Sequence, residues 1–155
     1  MNMGTLSSLE YNYVLVSAVI SWTAAQIIKT LLYLIKNRNF KAERLFGAGG
    51  MPSSHSALVC AATIAVSRKV GPGSPEFAIM FIIAIVVMYD AMGVRRAAGL
   101  HAKEINKMNK YFEIDSKTDE ENIKHKELKE YLGHTPFEVL GGALLGILIA
   151  LIVPK

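Results

Sequence analysis

The sequence has little charge and almost no cysteine, and both shortages narrow the class of protein. Charged residues make up 19% of its 155 residues and hydrophobic residues make up 52%, so a disordered chain is excluded. The single cysteine, Cys60, excludes an internal disulfide framework and a cysteine-based zinc cluster. Five prolines and twelve glycines are too few for a low-complexity chain. These limits leave a single hydrophobic domain, with a mean hydropathy of +0.31.

The apolar residues are gathered into four segments instead of being spread along the chain. A membrane-spanning helix needs about 20 mostly apolar residues, and no segment shows the alternation typical of a strand. The sequence therefore predicts an all-α, polytopic integral membrane helix bundle with spans near residues 13–35, 52–67, 75–94 and 136–153. A cleaved signal peptide is the alternative for the first segment, which lacks the basic residues that precede such a core. A re-entrant or surface helix is the alternative for the short second segment.

Basic residues are concentrated on one side of the predicted bundle. The polar segment 95–135 carries nine Lys or Arg and eight Asp or Glu, and the loop 36–51 carries four more basic residues. With four spans, thirteen basic residues lie on this side and three on the other. Because Lys and Arg accumulate on the cytoplasmic side, these segments are predicted to face the cytoplasm of a bacterial-type plasma membrane. The mixed charge of segment 95–135 argues against nucleic-acid binding.

Two polar motifs flank the middle spans, and both fall on the predicted cytoplasmic side. They are GAGGMPSSHSA at residues 47–57 and YDAMGVRRAAGLHAKEIN at residues 89–106. A helix that begins near Pro52 presents unpaired backbone N–H groups, which form a ready anion site. Arg95 offers a planar fork of donors for phosphate oxygens, and a histidine such as His55 can act as a nucleophile or general acid. The two motifs together predict a phosphate site.

These motifs resemble the type 2 phosphatidic acid phosphatase and vanadium haloperoxidase superfamily. Its pattern includes P-S-G-H and later S-R-x5-H-x3-D, and the strings GGMPSSHSA, DAMGVRRAAGLHA and LGHTPFEV are similar to its short, divergent membrane branch. The resemblance implies a lipid phosphatase that needs no metal or cofactor. It implies that His101 attacks the phosphorus to form a phosphohistidine and that His55 protonates the leaving alcohol. It also implies that Arg95, Ser53 and backbone amides near Ser54 hold the phosphate.

The sequence departs from the family pattern in several places, one of which is Val94, which stands where the serine before Arg95 is expected. In the first motif, K-x6-R-P, Asn37 stands where lysine is expected before Arg44, and the proline is replaced. Lys29 and Arg44 are the candidates for supplying this positive charge from other positions. In the last motif, Ile105 stands where an aspartate is expected four residues after His101.

Other polar residues are given supporting or structural roles. Asp90 ends a span, where a carboxylate is costly, so it is predicted to pair with an arginine or with Lys29. Arg96 is assigned to the headgroup zone beside the site. His134 is predicted to belong to the turn that caps the last span, not to catalysis. That span is predicted to begin with an N-cap, a first-turn proline and a glutamate, which are Thr135, Pro136 and Glu138.

Three functions are therefore considered. The first is a membrane lipid phosphatase for a phosphomonoester such as phosphatidylglycerol phosphate or phosphatidic acid. The second is a non-enzymatic phospholipid-binding or transport protein that retains the phosphate pocket. The third is a structural subunit that forms a homo-oligomer through close helix packing at Gly142 and Gly146.

Overall fold

The computed structural model describes residues 12–38, 50–115, 128 and 133–155. Within these ranges the chain forms helices and no strand, which confirms the predicted all-α bundle. The helices are α1 (Tyr13–Asn37), α2 (Ser54–Val70), α3 (Pro75–Met92), α4 (Val94–Asp115) and α5 (Pro136–Ile152). Of the predicted site residues, Arg44 lies outside the described residues.

Four of the helices begin at a polar N-cap whose side chain accepts a backbone N–H of the first turn. The caps are Asn12, Ser53, Ser74 and Thr135. Such a cap stabilises a helix by about 1 kcal/mol. At α5 the predicted start is confirmed, because Thr135 and Glu138 form a reciprocal capping box with Pro136 in the first turn.

The segment with the weakest hydropathy forms the central helix of the bundle. Helix α2 packs against α1, α3 and α5, so its neighbours cover it on most sides. It extends about 25 Å, since each helical residue rises about 1.5 Å. The Ala57 carbonyl accepts from Ser21 on α1 at 3.0 Å, and near the other end of α2, Arg68 donates to the Val153 carbonyl at 3.1 Å. A helix shielded in this way needs few large apolar side chains of its own.

Small residues repeat every four positions along the three helices that meet in the centre. The buried rows are Ser17, Ser21 and Ala25 on α1, Ala57, Ala61 and Ala65 on α2, and Gly142, Gly146 and Ala150 on α5. A Cβ atom at Gly142 would collide with the Ser53 carbonyl oxygen, and one at Gly146 with that of Ala57. Small residues allow this close approach where membrane helices associate. Gly142 and Gly146 are thus buried within the chain and do not offer a free surface to a second copy.

The helices alternate in direction, which gives the bundle two distinct ends. At one end the Tyr13 hydroxyl donates to the Ala150 carbonyl at 2.9 Å, and the Arg68 guanidinium donates to both groups. This contact joins the start of α1 to the ends of α2 and α5. At the other end the His134 N–H donates to the Ala91 carbonyl at 2.9 Å, which joins the start of α5 to the end of α3.

The outer faces of the bundle are apolar. Two stretches, Tyr13–Lys36 and Pro75–Tyr111, are long and apolar enough to cross a bilayer, and Pro136–Ile152 is a shorter apolar helix. Only 11% of the apolar window in Pro75–Tyr111 is buried inside the protein, so this stretch turns its large side chains outward. An apolar surface of this size requires an apolar surrounding, which a bilayer supplies.

The polar segment 95–135 begins as helix α4, which packs mainly against α3 beyond Gly93. The buried Asn106 side chain forms hydrogen bonds with both backbone groups of Leu128, each at 2.9 Å.

Candidate functional site

A pocket lies at the end of the bundle where α2 and α5 begin. Its lining residues are His55, Val87, Ala91, Arg95, Gly133 and His134. These residues come from the first turn of α2, the last turns of α3, the start of α4 and the turn before α5. Two of the predicted site residues, His55 and Arg95, are therefore brought together.

The first turn of α2 is fixed by buried hydroxyl groups. The Ser53 hydroxyl accepts from the Ser56 N–H at 3.4 Å and from the Ser56 hydroxyl at 3.0 Å, while the Ser53 N–H donates to the Glu138 carbonyl at 2.9 Å. Ser53 and Ser54 are both buried, whereas His55 is exposed. The structure thus uses Ser53 as a helix cap, and phosphate binding by Ser53 and Ser54 stays a prediction.

Arg95 is oriented by an acidic partner. Its Nε atom lies 2.5 Å from Oδ2 of Asp90, five residues earlier. The sequence predicts a cationic partner for Asp90, and the structure identifies it as Arg95. Because 52% of the Arg95 side chain is exposed, this ion pair adds little stability. Its effect is to hold the guanidinium by Nε and leave the two Nη groups available to bind an anion.

His134, which lines the same pocket, also has a carboxylate partner. Its Nδ1 atom lies 3.0 Å from Oε2 of Glu138, which also accepts the Thr135 N–H at 3.1 Å. The His134 side chain is buried, and its ring centroid lies 6.5 Å from that of His55, with the ring planes tilted by 60°. Two imidazoles therefore face one pocket, and one of them has a fixed carboxylate partner.

Gly133 explains how His134 comes to lie beside Arg95. Its φ is +85°, a left-handed conformation that favours glycine. A Cβ atom at this position would collide with the backbone nitrogen and Cα of Arg96. The turn before α5 thus lies directly on the first turn of α4, and a larger residue would push the two apart.

Lys29 adds positive charge from α1. Its side chain is buried and lies near enough to His55 for its positive charge to act on that imidazole, as the Arg95 guanidinium also does. The Gly50 backbone packs closely on it, since a Cβ there would lie 3.2 Å from Cδ of Lys29. One turn earlier on α1, the buried Oε1 of Gln26 has no hydrogen-bond partner within the described part of the chain.

His101 and Arg96 lie on α4 with exposed side chains, and neither lines the pocket. Six helical positions separate Arg95 from His101, which places His101 about 9 Å further along the axis and about 120° around it. The role of His101 as the attacking imidazole stays a prediction.

One spacing in the sequence points to the arrangement at His134. The family pattern expects a carboxylate four residues after its second histidine. That spacing is missing after His101 but present between His134 and Glu138. His134 also directly precedes the N-cap Thr135. The sequence therefore predicts a capping role for His134, and the spacing to Glu138 was not used.

The described residues gather no group of three or more His, Cys, Asp or Glu side chains that could hold a metal ion.

The fold and the pocket define a helical membrane protein with a basic, histidine-lined site at one end of the bundle. The chain belongs to the family described as the Divergent PAP2 family, whose profile matches residues 10–149.

A relative in Bacillus subtilis (strain 168), named "Uncharacterized membrane protein YuiD", is 40% identical over 148 residues, covering 92% of this chain and 94% of the relative. No solved structure matches the chain. The family and the relative agree with the outward apolar faces of the bundle, so the protein is a membrane protein of a divergent PAP2-related branch.

Proposed function

We propose that this protein hydrolyses a phosphomonoester of a membrane lipid at the cytoplasmic bilayer surface, through a phosphohistidine intermediate. The observation that carries the proposal is that His55, Arg95 and a second imidazole, His134, line the same pocket. Two imidazoles and a guanidinium supply the groups that phosphoryl transfer needs: a nucleophile, an acid and a clamp for the phosphate.

Each group in the pocket has a defined task in this reaction. The Nη groups of Arg95 bind phosphate oxygens, and the N–H groups at the start of α2 add the positive end of a helix dipole. Lys29 contributes further positive potential from α1. His55, whose side chain is exposed at the pocket, donates a proton to the leaving lipid alcohol and later accepts one from water.

The proposed substrate class follows from the location of the charges. The pocket lies at the end of the bundle that carries the basic segments, which the positive-inside rule places in the cytoplasm. A phosphomonoester in that leaflet, such as phosphatidylglycerol phosphate or phosphatidic acid, presents its phosphate at the required depth. The partners of the protein are then the bilayer and this phospholipid.

Phosphate release from both lipids by the purified protein in mixed micelles tests the activity. His55→Gln and Arg95→Gln are expected to lower the release by about 100-fold or more. Lys69→Gln, which removes an exposed basic residue at the opposite end of the bundle, is the matched control. Lipid binding that depends on Arg95, without release by the wild type, contradicts the proposal and supports the phospholipid-binding alternative.

Cysteine labelling tests the orientation. In a variant without the native Cys60, single cysteines replace Gly73, where a side chain meets open space, or Lys103 on α4. A membrane-impermeant maleimide is expected to label Gly73→Cys in intact cells and Lys103→Cys only after permeabilisation. The reverse result would place the pocket on the outer side.

A further inference from the structure

We propose that His134, held by Glu138, is the imidazole that attacks the phosphorus, in place of His101. This inference rests on the proposed function and assigns one of its residues. Glu138 is a positioning residue, because it acts through His134 and has no contact with the phosphate in this scheme. His55 keeps its role as acid and base.

The bond to Glu138 fixes the tautomer of His134. An ionised carboxylate only accepts hydrogen bonds, and Oε2 already accepts the Thr135 N–H at 3.1 Å. The Nδ1 atom of His134, at 3.0 Å, must therefore carry a proton and donate it to Oε2. A neutral imidazole protonated at Nδ1 keeps its lone pair on Nε2, which is the form that attacks phosphorus.

The distance between the two rings suits one phosphoryl group. The centroids of His55 and His134 are 6.5 Å apart. A nucleophile stands about 3–3.5 Å from the atom it attacks, and a general acid about 2.6–3.2 Å from the oxygen it protonates. A phosphoryl group bound in the pocket against both rings, with the guanidinium of Arg95 on the same pocket wall, presents its phosphorus to His134 and its leaving oxygen to His55.

His101 lacks each of these features. Its side chain is exposed on α4 and does not line the pocket. The residue four positions later is Ile105, so the helix offers it no carboxylate at the spacing that Glu138 has from His134. An imidazole that lies outside the pocket and has no carboxylate four residues later is poorly placed to attack.

The reaction balances with these residues alone. Nε2 of His134 forms a bond to phosphorus as the bond between phosphorus and the lipid oxygen breaks, and His55 gives its proton to that oxygen. Water then attacks the phosphorus and loses a proton to His55, while the P–N bond breaks. The products are the lipid alcohol and inorganic phosphate, and both imidazoles return to their initial states.

Trapping the intermediate in the wild-type protein tests the assignment without a substitution in the buried site. The protein is mixed with lipid labelled with ³²P on the phosphomonoester and quenched in alkali, which preserves phosphohistidine. Trypsin then places His55, His101, His125 and His134 on four different peptides, because Lys or Arg residues separate them. The label is expected on the peptide that begins at Glu130 and contains His134. Label on the peptide of residues 97–103 would assign the attack to His101 and overturn the proposal.

Variants add a second, independent readout. His134→Gln is expected to lower kcat by about 10³-fold and to abolish the label. Glu138→Gln is expected to lower kcat by at least about 10-fold, with the remaining label still on His134. His125→Gln, in the charged run KHKELKE of residues 124–130, is the matched control and should retain both activity and label.

The outcomes separate this inference from the function on which it rests. Phosphate release by the wild type without label on His134 overturns the inference and leaves the proposed function standing. No release from either lipid overturns the proposed function, and the assignment with it.

Discussion

Two adjacent glycines in α5 provide a direct test of how closely the central helices pack. A Cβ atom at Gly142 would collide with the Ser53 carbonyl oxygen and lie 3.0 Å from Cβ of Ser56, both of which are fixed by the N-cap of α2. At Gly141 the nearest atom is Cε of Met51, at 3.2 Å. Met51 is 52% exposed and flexible, so its side chain can move away. We therefore expect Gly142→Ala to be destabilising and Gly141→Ala to be tolerated.

The difference in stability between the two variants measures the steric cost at Gly142. Replacing glycine by alanine inside a helix stabilises the helix by about 1 kcal/mol, and this gain is the same at both positions. Forcing a methyl group into a packed interface costs about 1–3 kcal/mol. Gly142→Ala should thus be less stable than Gly141→Ala by about 1–3 kcal/mol, or about 2–12 °C in Tm at about 2–4 °C per kcal/mol.

The measurement is a thermal scan of the monodisperse fraction in detergent, with phosphate release as a second readout. Gly142 lies one turn after Glu138, so a displaced α5 also moves His134 away from His55. A shift of about 1 Å can cost about 100-fold in rate. Equal Tm values for the two variants would refute the close contact between α2 and α5 from which this reasoning starts.

Three further predictions concern the two ends of the bundle. Tyr13→Phe removes the hydroxyl that donates to the Ala150 carbonyl, so the free energy of unfolding should fall by about 1 kcal/mol. Because Tyr13 lies at the end of the bundle opposite the pocket, kcat should not change. A lower kcat in the folded variant would contradict this separation of the two ends. Asp90→Asn removes the charge that orients Arg95 and should raise KM for the lipid by about 1.4- to 5-fold, matching an exposed ion pair of about 0.2–1 kcal/mol. A fall in kcat with constant KM would contradict a binding role for the guanidinium. Vanadate or inorganic phosphate should raise Tm, by the equivalent of about 2.7 kcal/mol at 100 times Kd, and less at high salt. Arg95→Gln should remove most of this stabilisation, and an equal rise of Tm in that variant would place the anion elsewhere.

The sequence predicted the parts of the fold that depend on local signals. Helix type was predicted from continuous apolar runs and the start of α5 from Thr135, Pro136 and Glu138. Each of these signals lies within one short stretch of chain, and the structure confirms both predictions. The expectation that Asp90 pairs with a cationic side chain was also confirmed, and the structure shows that the partner is Arg95 and not Lys29, the other candidate. The central place of α2 was not evident, since hydropathy measures exposure to lipid and α2 is shielded by its neighbours. Its row of small residues was the signal that hydropathy does not record.

The site shows the same division between local and non-local information. The convergence of His55 with Arg95 was predicted because both motifs adjoin the same ends of neighbouring spans. The addition of His134 was missed, since it depends on Gly133 lying against the start of α4 and on the Ala91 carbonyl accepting its N–H. Those contacts join positions about forty residues apart in the sequence. No local sequence pattern predicts these contacts, although the four-residue spacing between His134 and Glu138 is visible in the sequence.

The arrangement of helix ends gives a physical reason for an anion at this pocket. Helices α2 and α5 both begin there, and they approach so closely that the Ser53 N–H bonds the Glu138 carbonyl. Each start carries about half a positive charge from its helix dipole, and parallel dipoles at short distance repel each other. Arg95 and Lys29 add two formal positive charges to the same region. The carboxylates of Asp90 and Glu138 offset part of this positive potential, and a bound phosphate, with two negative charges, adds to that compensation. The small residues that permit this close packing therefore contribute to anion binding, as the side chains that line the pocket do.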